Sequence, residues 1–175
     1  MGYIHKVWQW VESDFVLIAG LATSLKWVWE YSQSRKFEKN KFLLERIEKF
    51  NNLESTEKVQ KILDWNSIKI EINDVSVKVD DSIIVEALKT HDQKASFDST
   101  EVYLRQIFDD YFTGITELII LSNTGLVDKR NLKKFLKYWV DILNGNKRNK
   151  PESFVKTIEN YLKFYGYTEV SEFLK

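Results

Sequence analysis

Four carboxylates within one stretch of chain, Glu101, Asp109, Asp110 and Glu117, are the residues whose type and spacing first suggest chemistry. Carboxylates that converge can hold a divalent cation or share acid and base roles. Neighbouring helical residues diverge by roughly 100°, so Asp109 and Asp110 do not converge by themselves. The chain has no Glu-x-x-His pair and no calcium loop of Asp-x-Asp-x-Asp-Gly form. Arg105 lies one turn before Asp109, and the plain expectation is a helix ion pair. There is no cysteine, which removes thiolate nucleophiles, thiolate metal sites and disulfides. The two histidines are His5 and His91. His91 is read as a cation near a helix C-terminus, where it is favourable, rather than as a catalytic base. No phosphate-binding glycine loop and no Gly-x-Ser-x-Gly elbow occurs. Neither catalytic nor metal-binding residues are expected, and no cofactor.

A second pattern is cationic. Arg130, Lys133, Lys134 and Lys137 follow i, i+3, i+4, i+7 and form one stripe on a helix. Two readings stand: a site for an anion such as a nucleotide or headgroup, and a solvated face complementary to an acidic segment. From Lys129 to Lys150 there are eight bases against one acid, whereas Asp80 to Ile120 holds nine acids against three bases. Formal net charge is zero, so no global field draws the chain to nucleic acid, and stable nucleic-acid binding is not expected. Trp65 and Lys137-Tyr138-Trp139 could stack on a base, but aromatics at helical spacing more often belong to a core.

The elements that must position these residues read as mainly α. With one proline and six glycines in 175 residues, long helices are expected. A basic stalk helix occupies residues 32–52, with Phe37, Leu44 and Ile47 on one stripe and Leu43 and Phe50 on its flank. Ser55 or Thr56 caps a short helix through Trp65. Residues 68–79 switch to a two-residue period. A turn at Asn73-Asp74 pairs Ile72 with Val75, Ile70 with Val77 and Ile68 with Val79. Asp80-Asp81-Ser82 caps a helix to about His91, with Ile83, Ile84, Ala87 and Leu88 inward. Asp98 and Glu101, at capping-box spacing, start the longest cytosolic helix, which ends at Gly125. Its inward set is Val102, Ile107, Phe108, Tyr111, Ile115, Leu118 and Ile119. Asp128 caps a helix to Leu143, with Leu132, Phe135, Leu136, Trp139, Val140 and Leu143 inward. Pro151 opens another that Gly166 stops.

The N-terminal stretch, residues 1–31, reads as a membrane anchor. Its apolar run, Phe15 to Leu25, is about 16 Å of helix and short for a bilayer. Between the flanking tryptophans Trp8 and Trp29 the helix covers roughly 31 Å, about one hydrocarbon thickness. Trp8, Trp10, Trp27, Trp29 and Tyr31 are the candidate membrane-interface residues. Arg35, Lys36, Lys39 and Lys41 follow, able to meet lipid headgroups and marking the cytoplasmic side. The expectation is a single-pass span in the inner membrane with residues 53–175 as a helical cytoplasmic domain. Ala19, Gly20, Thr23 and Ser24 are small residues that let helices approach closely, the candidate surface for a homo-oligomer.

Leu63-Asp64-Trp65, Ile107-Phe108-Asp109, Thr124-Gly125-Leu126-Val127, Lys137-Tyr138-Trp139 and Tyr165-Gly166-Tyr167 together resemble a group of small uncharacterised bacterial proteins. That group has an N-terminal hydrophobic helix, a helical cytosolic domain and no assigned activity. The resemblance implies a bacterial, membrane-anchored protein and transfers no catalytic residue. The functional expectation is a non-enzymatic interaction or regulatory protein with a protein or nucleotide partner. The alternatives are a ligand-gated membrane effector, by analogy with some antiphage systems, and an enzyme using carboxylate or metal chemistry.

Overall fold

The computed structural model describes residues 2–72, 74–147 and 149–174, with side chains from residue 23 onward. The chain is mainly helical with one antiparallel hairpin, in the order α1 (Gly2–Asn51), α2 (Glu54–Asp64), β1 (Ser67–Ile72), β2 (Val75–Asp80), α3 (Asp81–Ala87), α4 (Ser99–Asn123), α5 (Lys129–Leu143), α6 (Glu152–Phe164) and α7 (Thr168–Leu174). It forms two compact units, Met1–Lys41 and Phe42–Lys175.

The first unit consists of helix α1 up to Lys41. Among the described residues no helix is long and apolar enough to cross a membrane. The side chains of Trp8, Trp10, Ala19 and Gly20, and most of the Phe15–Leu25 run, lie outside the described residues. Within the described part, Trp27 stacks on Tyr31 with ring centroids 6.1 Å apart. The Arg35 side chain donates to the Tyr31 hydroxyl at 2.9 Å. These three occupy i, i+4, i+8 and so form one strip along the helix.

The second unit is built around α4. Leu104, Phe108, Tyr111 and Phe112 have no exposed surface, and Ile107, Ile115, Leu118 and Ile119 are nearly as buried. A helix that is apolar on most of its circumference must be surrounded, and α2, α3, α5 and α7 all touch it. The capping box that starts α4 is present as the spacing predicts: Asp98 accepts from the Glu101 amide at 2.9 Å, and Glu101 accepts from the Asp98 amide at 3.0 Å. Asp80 likewise caps α3, and Asp128 caps α5 by accepting from the Asn131 amide at 3.0 Å.

The hairpin has the expected register, with Ile68 opposite Val79, Ile70 opposite Val77 and Ile72 opposite Val75. Asp74 adopts φ 64°, the left-handed turn conformation that Asp tolerates better than most residues. Ile70, Ile72 and Val79 are buried, while Lys69, Glu71, Ser76 and Lys78 point to solvent. A two-stranded sheet needs such a covered face, and the strands lean on α2 and α3.

Several expectations need correction. In the last turns of α1, Leu43 and Phe50 enter the core with Ile47 beside them, while Phe37 and Leu44 are exposed. Leu43, Ile47 and Phe50 are themselves spaced i, i+4, i+7, so the buried stripe is the flanking one. Helix α2 begins at Glu54 with no side-chain cap, and Thr56 is instead buried inside it. Helix α3 ends at Ala87, short of His91. Val102 and Phe135, placed inward from periodicity, are about half exposed.

Gly114 sits in the middle of α4, where glycine costs about 1 kcal/mol relative to alanine. The Phe50 ring occupies the missing Cβ position: a methyl there would meet Phe50 carbons at 2.6 and 2.7 Å. That ring is also held against Tyr111, centroids 5.5 Å apart. Gly114→Ala should therefore lower the melting temperature despite its better helix propensity, with a net loss of about 1–3 kcal/mol. In a Phe50→Leu background the same change should be neutral or stabilising, and a stabilising Gly114→Ala in the native background would refute the contact.

Candidate functional site

Two polar arrangements could carry function: a buried cluster on α4 and an exposed face of α5. The cluster begins with Arg105, nine-tenths buried. Its guanidinium donates to the carbonyls of Ala87 and Lys89, both at 2.8 Å, and to the Tyr165 hydroxyl at 2.5 Å. It also lies over the rings of Phe97, Tyr161 and Tyr165 at 4.2, 5.1 and 5.2 Å from their centroids. The cation thereby closes the C-terminus of α3, where the helix dipole favours positive charge. It satisfies carbonyls left open where α3 ends, at Ala87 rather than His91.

Asp109 finds different partners. It accepts from the Tyr161 hydroxyl at 2.8 Å and the Tyr167 hydroxyl at 3.0 Å. The expected Arg105–Asp109 ion pair is thus replaced by two separate networks. Gly166, at φ 76°, makes the turn that sends Tyr165 to the arginine and Tyr167 to the aspartate. His91 is exposed and packs edge-on to Phe97 and Tyr165, at 5.3 and 6.1 Å between centroids.

The remaining carboxylates are also engaged or dispersed. Glu101 closes the capping box and pairs with Lys94, which lies 3.9 Å from Glu86. Asp110 and Glu117 are exposed. Among the described residues no three potential metal ligands come together. A cavity of about 710 Å³ opens beside α3 and the start of α4, with Asp81, Glu86, Asp98 and Glu101 in its wall. Its carboxylates are the ones already committed to caps and ion pairs. Asp81 pairs with Lys150 at 2.6 Å, and Glu86 with Lys89 at 2.5 Å.

Lys150 was not legible as a functional or structural residue in the sequence. Its side chain is fully buried, and its ammonium donates to the carbonyls of Ile62 and Trp65 at 2.7 and 2.8 Å as well as to Asp81. Asn149 donates to the Leu63 carbonyl at 3.1 Å. The two residues together close the end of α2. Trp65, read as core, sits at that C-cap and is 66% exposed. Tyr138 donates to the Asp64 carboxylate and carries Lys147 over its ring at 3.3 Å, while Trp139 is partly buried against the core.

The α5 stripe is where the structure departs from ordinary charge balance. Lys129, Arg130, Lys133, Lys134 and Lys137 are all exposed and line one shallow groove of about 530 Å³. On α2 and α6 each lysine is paired with an acid a turn away: Lys58 with Glu54, Lys61 with Glu57, Lys156 with Glu152, Lys163 with Glu159. On α5 Lys137 alone has such a partner, Asp141 at 2.9 Å, among the described residues. The acidic segment does not neutralise this face. Like charges at i, i+4 cost roughly 0.2–0.5 kcal/mol each, and cations in a first turn oppose the dipole.

The other candidate residues lie in the first unit. Trp27, Trp29 and Tyr31 are more than half exposed. Thr23, Ser24, Arg35, Lys36, Lys39 and Lys41 are exposed as well. Comparison with family models, curated proteins and solved structures finds no match to this chain.

Burial raises the pKa values of Tyr111 and Tyr161, in the second case helped by the Asp109 carboxylate. Burial and Asp109 push Tyr167 up to about 12. A raised phenol stabilises the fold in its neutral form. The contribution is full below about pH 10, the free phenol's value, and is lost as pH rises through the folded value. In an absorbance titration these three of the eight tyrosines should stay neutral past about pH 10 and ionise only as the helices melt. Complete ionisation by about pH 11 with helicity intact would contradict the cluster. Arg105→Met should cost about 3 kcal/mol or more in chemical denaturation, because it strands two carbonyls and a hydroxyl; a loss under about 1 kcal/mol would show that the carbonyls find other donors.

Proposed function

We propose that this chain is a membrane-anchored, non-catalytic interaction or regulatory module. The N-terminal part of α1 is its anchor, and the second unit is its working domain. The observation that carries the reading is the composition of the described first-unit surface. Leu25, Trp27, Val28, Trp29 and Tyr31 each leave more than half of their surface uncovered. Water penalises such exposure by roughly 25 cal/mol per Å² of apolar surface, whereas the headgroup region is the preferred setting for Trp and Tyr. Exposed Arg35, Lys36, Lys39 and Lys41 follow within three turns, the order expected where a chain leaves a bilayer on its cytoplasmic side. The α1 backbone is an unbroken helix across both tryptophan pairs, which supports a span measured from Trp8 to Trp29. A binding role is favoured because Asp81, Glu101 and Asp109 are committed to structure. Self-association through Gly20 and Ser24 belongs to the same reading, as small residues allow two anchors to pack closely.

The protein should partition with inner membranes, resist washing with high salt and alkaline carbonate, and require detergent for extraction. Trp27→Glu with Trp29→Glu should reduce that retention. Release of the unaltered protein by salt alone would refute the anchor, and unchanged crosslinking in Gly20→Leu would refute the packing face.

A further inference from the structure

We propose that the cationic face of α5 is a docking surface for anionic lipid headgroups, a second membrane contact distinct from the anchor. Lys129, Arg130, Lys133, Lys134 and Lys137 span nine residues, about 12 Å of helix, and fall within one arc of its circumference. Their groove is lined by these five side chains alone. Among the described residues no second element walls it, so it offers a row of charges rather than an enclosed recess. That shape suits an extended anionic surface and gives little grip on a single small molecule. Four of the five are lysines, compact point charges that attract phosphates without the bidentate fork by which arginine selects one. Asp141, at one end, is the sole acid paired with the row among the described residues. Three residues before Lys129, Leu126 stands on the turn leading into α5 and is 53% exposed. The chain thus carries a row of positive charge, neutralised only at Lys137 among the described residues, on an open face that an anionic bilayer surface attracts.

The inference rests on the proposed function only in placing a bilayer within reach, and the experiment separates the two. The chain has no cysteine, so Leu126→Cys gives a single site for an environment-sensitive dye on the full-length protein. Vesicles containing phosphatidylglycerol should shift the dye emission, and vesicles of phosphatidylcholine alone should not. Lys133→Gln with Lys134→Gln should raise the half-saturating lipid concentration about 25-fold, fivefold for each cation removed, with an unchanged circular dichroism melt. High salt should abolish the shift. An equal shift on neutral vesicles, or none on anionic ones, overturns the proposal whether or not the anchor holds. So does loss of the shift to micromolar nucleoside triphosphate or single-stranded oligonucleotide, which would reassign the face to a soluble phosphate ligand. Vesicle flotation of the same protein reports the anchor independently of the dye.

Discussion

The second unit depends on two buried cations that close helix ends. Lys150 closes α2 and Arg105 closes α3, each through carbonyls that the helix itself cannot satisfy. An uncapped helix end in a core leaves several carbonyls without donors, and each costs about 1–3 kcal/mol when buried. One ammonium answers two carbonyls and a carboxylate at once, because it carries three donors. Its carboxylate is Asp81, in the first turn of α3. The same contact therefore places a negative charge at the start of one helix and a positive charge at the end of another, both favourable to the helix dipoles. The hairpin between α2 and α3 is held by its two ends: Lys150 binds the chain just before β1 and just after β2.

Around these points α4 serves as the surface on which α2, α3, α5 and α7 pack. Its tolerance for close approach is concentrated at Gly114, where Phe50 lies against the backbone. That contact is how the last turns of α1 enter the core, along with Leu43. The polar residues of α4 are not left over from this packing. Arg105 and Asp109 are one turn apart, and the Tyr165-Gly166-Tyr167 turn delivers one hydroxyl to each. The tyrosines separate a cation and an anion that would otherwise have paired within the helix. They also tie α6 and the chain after it to α4.

Much of this was legible where the signal is local. The hairpin register followed from strict alternation and an Asn-Asp turn, since a slip by one residue would expose Ile70, Ile72 and Val79. The caps at Asp80, Asp98 and Asp128 were legible because a short carboxylate bonds amides two or three residues ahead. Contacts across long separations were not. Lys150 reads as one more base in a polar loop, and its partners are backbone carbonyls some 85 to 88 residues away, which have no sequence signature. Two overlapping apolar stripes in residues 37–50 made the choice between Leu44 and Leu43 a matter of tertiary packing. Trp65 is exposed because Lys150 and Lys61 fix its backbone at the end of α2, which periodicity alone cannot express. For the candidate site, the four-residue stripe was legible from spacing; its lack of neutralising partners was not, since that depends on where the acidic segment folds.

The same inventory of charges sorts the surface. Several acids of the Asp80–Ile120 segment serve the fold, on caps, on Lys94 and Lys150, and on tyrosine hydroxyls, while Asp92, Asp110 and Glu117 are exposed. Among the described residues none of the segment's acids pairs with the bases of α5, of which Lys137 alone has an acidic partner, and a chain of zero net charge thus presents a positive face. Crowding five cations on one face is an electrostatic cost that α5 itself offsets only at Lys137, through Asp141 one turn on.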